Sequence, residues 1–200
     1  MPPPNSLRQL HLVYAFLDTQ PPSALTDDLR KSLLYYRGEL TLLALLPVPD
    51  ETPIRVTNWL LNLLELETFV AREGRWPREN RRLDRSLILE DERQLAAWIR
   101  TQRIAAGQGA RCTYQLDRLE CVDGFRWQPL DDRWHNNADT YQLFTDTHKR
   151  APSLHSDDQT ERTLAGFATR ARSAHRRGRL TATRIGILEE LDFWTWGATR

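Results

Sequence analysis

The chain has 200 residues, 40% of them hydrophobic, and a net charge of +1. That length allows one large domain or two to three small ones, and seven tryptophans suffice for buried cores, which excludes a disordered chain. No apolar run reaches the roughly 18 residues needed to cross a bilayer, the N-terminus lacks a secretory flank, and two cysteines are too few for a disulfide scaffold, so a soluble cytoplasmic protein with buried thiols at Cys112 and Cys121 is expected.

Residues 1–55 read as a helical N-terminal region. Leu7 to Leu17 is apolar nearly throughout, Pro21 and Pro22 interrupt it, and Ala24 to Tyr36 carries Leu25, Leu29 and Leu33 at helical spacing. Arg37-Gly38-Glu39-Leu40-Thr41 then echoes Arg177-Gly178-Arg179-Leu180-Thr181. The region therefore reads either as a degenerate third copy of the unit that follows or as an unrelated helical cap on an array.

Residues 56–128 and 132–197 carry one pattern twice. Trp59, Phe69 and Pro77 return as Trp134, Phe144 and Pro152, 75 residues later; Arg93, Leu95, Arg103, Gly109 and Trp127 return as Arg162, Leu164, Arg172, Gly178 and Trp196, 69 residues later. Self-similarity at such a period marks repeated modules, and the change of offset marks a shorter loop in the second copy. Each copy reads as three helices. The first starts near Trp59 or Trp134. The second starts near Glu90 or Asp158, with Leu95, Trp98 and Ile99, or Leu164, Phe167 and Ala171, as its apolar stripe. The third starts at a threonine cap, Thr113 or Thr181. Loops are expected at 78–88 and 153–159, a polar linker at Gln128 to Asp132, and an aromatic turn at the end of each copy. The fold class is all-α, two tandem three-helix bundle modules plus the N-terminal region.

Arg93 to Leu116 holds four arginines and no acid; Arg162 to Arg184 holds seven and no acid. A helical wheel puts Arg93, Arg100 and Arg103 opposite Trp98, and Arg162, Arg172 and Arg176 opposite Phe167. With Arg177, Arg179 and Arg184 they are the candidate phosphate contacts, because guanidinium pairs bidentately with phosphate oxygens. The competing reading is a solvated face matched to the helix dipole. Tryptophans on the apolar stripes read as core. Trp76 and Trp194 read as more exposed, and Trp76, before Pro77, is the candidate for base stacking. The five histidines show no metal-ligand spacing. No nucleophile with a base and an orienting group stands out, so no catalytic residue, metal or cofactor is expected.

Leu95-Ala-Ala-Trp98-Ile-Arg-Thr-Gln102-Arg103, a glycine turn, Leu119 and Gly124-Phe125-Arg126-Trp127 together resemble the bacterial helicase-associated domain family. The second copy matches through Leu164, Gly166, Phe167, Arg172, Arg177-Gly178-Arg179-Leu180, Arg184, Leu188 and Trp196. It departs at Phe167 and Ala171, where the family has tryptophan and glutamine; the first copy departs at Ala110-Arg111. The resemblance covers residues 55–197. It implies small three-helix bundles that bind nucleic acid and that stand in tandem beyond a helicase core. No Gly-x-x-x-x-Gly-Lys-Ser/Thr loop for cradling phosphates is present in this sequence. The expected function is non-catalytic binding of DNA or RNA through arginine-bearing helices, with no membrane partner. The alternative is a protein–protein adaptor that docks on a helicase or other replication protein through Leu42, Leu43, Leu45 and Leu46.

Overall fold

The computed structural model describes residues 6–46, 49, 51–78 and 89–197, and all their regular structure is helical. None of these helices is long and apolar enough to cross a membrane. The loop expected at 78–88 falls outside the described residues beyond Arg78. The chain divides into two compact units, Met1–Trp127 and Gln128–Arg200.

Unit 1 begins with α1 (Leu7–Asp18), capped by the Ser6 side chain, which accepts from the Gln9 N–H. After a 3-10 turn at Pro22–Ala24, α2 (Asp27–Leu43) starts at Thr26, whose hydroxyl accepts from Leu29 N–H. Asp27 and Asp28 in its first turn suit the positive end of the helix dipole. α2 runs through Arg37 to Thr41, so that stretch is helix interior and not the turn that a third copy requires. Gly38 lets α2 lie close on α3, since a Cβ there would stand 2.9 Å from Leu60 Cδ1.

α3 (Ile54–Glu73) starts at Pro53, a turn earlier than its apolar stripe suggests, and ends at Gly74 in the left-handed region. α4 (Glu90–Gly107) carries three acids in its first turn. α5 (Thr113–Glu120) is capped at Cys112 and not at Thr113: the Gln115 side chain reaches back to the Cys112 N–H. Thr113 instead donates its hydroxyl to Asp28 of α2 at 2.6 Å. The core of α3 to α5 centres on Leu60, Leu63, Leu66, Leu95 and Leu119. A second cluster of Leu10, Tyr14, Leu33, Tyr36 and Tyr114 joins α1 and α2 to α5.

Unit 2 comprises α6 (Pro129–His148), α7 (Gln159–Arg176) and α8 (Ala182–Glu189). The residues read as a linker are the first turn of α6: Pro129 opens it, as proline does where no N–H partner is needed, and Asp131 and Asp132 follow. Thr181 caps α8 by accepting from the Arg184 N–H. Its core gathers Tyr141, Leu164, Phe167, Ala171 and Leu188. Both cysteines are free thiols, and burial raises the pKa of each, which keeps them protonated.

Helix lengths coincide: 20 residues in α3 and α6, 18 in α4 and α7, 8 in α5 and α8. So do the left-handed positions, Gly74 with Lys149, Gly109 with Gly178, and Gly124 with Phe193. The last pair settles the register of the closing turn. Trp76 presses on Gly124, where a Cβ would lie 3.0 Å from its indole nitrogen. The position corresponding to Trp76 is Ala151, which leaves room for a side chain at Phe193.

Candidate nucleic-acid interface

Three of the arginines shared by both halves are bound within their own unit. Arg103 donates Nε to the Arg126 carbonyl at 2.9 Å and lies over the Phe125 ring. Arg172 donates Nε to the Thr195 carbonyl at 2.5 Å and lies 4.9 Å from the Trp194 centroid. Each pins the aromatic turn that closes its unit, so Arg172 is half-buried and does not project freely opposite Phe167. Arg162 donates to the carbonyls of Ser156 and Asp157 at 2.6 and 2.8 Å and braces the loop before α7. Arg93 pairs with Glu90 one turn earlier, and Arg100 is exposed. The helix face expected to present free arginines is therefore largely occupied by structural contacts.

A second shared device holds the loop before the second helix of each unit. Arg75 clamps Glu92, which also accepts from the Arg78 N–H at 2.8 Å. Arg150 clamps Glu161, which also accepts from the Ser153 N–H at 2.8 Å. The Arg150 guanidinium holds the Glu161 carboxyl down to a pKa of about 2, and Glu92 is lowered by Arg75 in the same way. The indole N–H of Trp127 donates to Glu120, and that of Trp196 donates to Glu189.

Trp76 is half-buried against the core, 5.7 Å from the Phe125 ring, and Trp194 is half-buried with its ring against Tyr141 and Trp196. The exposure expected of both rings is not found, because each fills the gap at its closing turn.

Lys31, Arg55 and Arg111 line a pocket of about 390 Å³ in unit 1 together with Asp28, whereas the basic cleft of unit 2 has no acid among its described lining residues. Leu130, Arg133, Trp134 and Asn137 form one stripe of α6; Phe167, Arg170, Ala171 and Ala174 form one stripe of α7. Both follow the i, i+3, i+4, i+7 spacing that puts residues on a single helix face. Between them, with Arg179, Leu180 and Arg184 at one end, lies a cleft of about 380 Å³. Arg133, Arg170 and Arg179 are exposed at its rim, and no acid is among its described lining residues. Arg184 pairs with Asp131 and lies 4.6 Å from the Trp134 centroid. Of the residues picked from the sequence, Arg179 and Arg184 reach this cleft, whereas Arg176 and Arg177 are exposed outside its lining. Arg133 and Arg170 lie outside the arginine faces expected from the sequence. Arg170 sits three residues from Phe167, beside the buried stripe, and a wheel searched only opposite that ring misses it.

In unit 1 the corresponding positions are Asn58, Thr101, Ala110 and Gln115, so the four arginines have no basic counterparts there. Leu43, Leu45 and Leu46 are exposed at the end of α2, while Leu42 packs on the core. Among the described residues no group of histidine, cysteine or acidic side chains is placed to hold a metal ion. No family model, curated protein or solved structure matches the chain.

Proposed function

We propose that the chain is a tandem of two three-helix modules, the first capped by the N-terminal helices, and that it binds nucleic acid without catalysis through the cleft of the second. The observation that carries this reading is the cleft itself: four arginines converge on it and no acid is among its described lining residues. Guanidinium groups at a concave rim pair with phosphate oxygens and release the counterions condensed on the backbone. The resemblance of residues 55–197 to helicase-associated modules points the same way.

Arg184 is part-neutralised by Asp131, so about three phosphates would be engaged. The log–log salt slope should then be roughly −3 on duplex and −2 on single strands. The test is binding of labelled single- and double-stranded DNA and RNA by the full chain at two salt concentrations, with Arg170→Ala plus Arg179→Ala alongside. Both side chains are exposed, so the fold should change by no more than about 0.5 kcal/mol. The double substitution should weaken binding several-fold and flatten the slope by about two on duplex and about one and a half on single strands. Wild-type affinity in the folded variant would remove the cleft from the account.

The adaptor reading has one observation in its favour, the exposed leucines of the α2 end, with Leu45 91% accessible. An apolar edge of that kind marks an interaction surface when it is continuous. Failure of every nucleic acid to bind, with a replication protein captured through Leu43 and Leu46, would establish it in place of the first.

A further inference from the structure

We infer, resting on the reading above, that the cleft takes single-stranded nucleic acid: one base seats on the Arg184–Trp134 pair while the phosphates beside it meet Arg133, Arg170 and Arg179. The first observation is the floor. Between the arginines lie Phe167, Ala171, Ala174 and Leu180, an apolar surface that a phosphate cannot use. A duplex keeps its bases stacked inside and would offer the cleft only its backbone. An unpaired base supplies the apolar, planar group that such a floor accepts.

The second observation is size. About 380 Å³ lies at the small end of pockets that take compact organic groups, and far below what a whole helix of nucleic acid would fill.

The third is the platform. Trp134 is held edge-on by Phe167 at 5.8 Å and by His135 at 5.2 Å, and the Arg184 guanidinium is laid over its ring and tied down by Asp131. A guanidinium fixed in this way presents a flat face on which a base stacks. Asn137, on the α6 stripe, adds an amide that can both donate to and accept from a base edge.

Unit 1 shows the same tryptophan position already engaged. Tyr35 of α2 lies edge-on against Trp59 at 5.3 Å, and Gln115 stands where unit 2 has Arg184. An aromatic ring of the chain thus sits beside the indole in unit 1.

The experiment titrates the full chain against a labelled oligonucleotide of about a dozen residues. The arms are single-stranded DNA, single-stranded RNA, the matching duplexes, and a single strand of the same backbone carrying abasic residues. Either single strand should bind at least roughly tenfold tighter than its duplex, and removal of the bases should cost about tenfold. Arg184→Lys keeps the charge and loses the plane, so it should weaken single-strand binding without changing the salt slope; a thermal melt checks that the variant is folded. Equal affinity for intact, abasic and duplex ligands, with Arg170 and Arg179 still required, overturns the single-strand inference and leaves the phosphate reading standing. Absence of binding to every ligand overturns both.

Discussion

In unit 1, another helix packs against the start of α3 and α5 and leaves beside it a pocket of about 390 Å³ lined by Asp28, Lys31, Tyr35, Arg55, Arg111 and Gln115. α2 lies against Val56 and Leu60 through Gly38, places Asp28 on Thr113 and Ser32 on the Tyr114 N–H, and sends Glu39 to Arg118. Arg118 and Glu39 are almost wholly buried, and Glu67 pairs with the other side of the guanidinium at 2.8 Å. The corresponding positions in unit 2 are Asp131, His135, Ala182, Thr183 and Ile187, and there the chain supplies no extra helix within the unit. Asp131 pairs with Arg184, and His135 lies beside Asp131. Two sets of three helices with matching lengths are thus finished in two ways, by borrowing a helix or by making the face polar. A unit this small has little surplus burial, so the borrowed helix is part of its stability.

The largest expected effect tests that dependence. Removal of residues 1–46 should unfold unit 1, because it uncovers Tyr114 and the buried Arg118 together, while unit 2 keeps its melt. Hydrogen exchange read separately in α3 and α6 decides; lasting protection of α3 would show that the N-terminal helices are dispensable.

A single substitution sharpens the same contrast. Glu39→Gln strips one charge from a buried pair and should cost about 3 kcal/mol in urea titrations. Asp131→Asn removes a half-exposed partner and should cost less than about 1 kcal/mol. Equal costs would mean that α2 adds no buried ion pair of consequence.

Core truncation should also differ. Phe167 is buried, so Phe167→Ala should cost roughly 3–5 kcal/mol. Trp98 is only half-buried, and Trp98→Ala should fall at or below the lower end of that range. A larger loss at Trp98 would reverse the burial argument.

The smallest contrast is in pH. Burial lowers the pKa of His11, beside Glu39 and Tyr114, below its ordinary 6.5, although Glu39 pulls it up. The neutral ring is favoured in the fold, so its contribution is present above about pH 6.5 and is lost as pH falls. Glu161 in unit 2 is depressed to about 2, so its contribution is present above pH 4.5 and is lost as pH falls towards 2. Unit 1 should therefore weaken first on acidification, read by denaturant midpoints at pH 7, 5 and 3. His11→Gln should remove the earlier of the two declines.

The helices were legible wherever apolar spacing, a glycine stop and a capping residue agreed, as in Thr181 and the stripe through Leu164 and Leu188. What escaped was tertiary. Arg103, Arg162 and Arg172 looked like a free face because a wheel shows direction but not the carbonyls and rings that a later turn brings within reach. The Arg-Gly-x-Leu-Thr of α2 looked like a turn because a glycine required for close packing has the same letter as one required for a left-handed backbone. The cleft itself was hidden because its four arginines come from three helices and a turn, and Arg133 and Arg170 flank the buried stripes instead of standing opposite them.

Gly38 and Glu39 also have a bearing on how the chain avoids assembling wrongly. Two helical units with matching helix lengths, joined in one polypeptide, invite an element of one to settle on the other during folding. α2 carries an address against that error. On unit 2 its glycine would meet Asp131 and His135 in place of Val56 and Leu60, and Glu39 would be pressed against Ile187 with no guanidinium to receive it. A carboxylate desolvated without a partner makes the misplaced pairing costly, so the ion pair that closes unit 1 also dictates which bundle α2 joins.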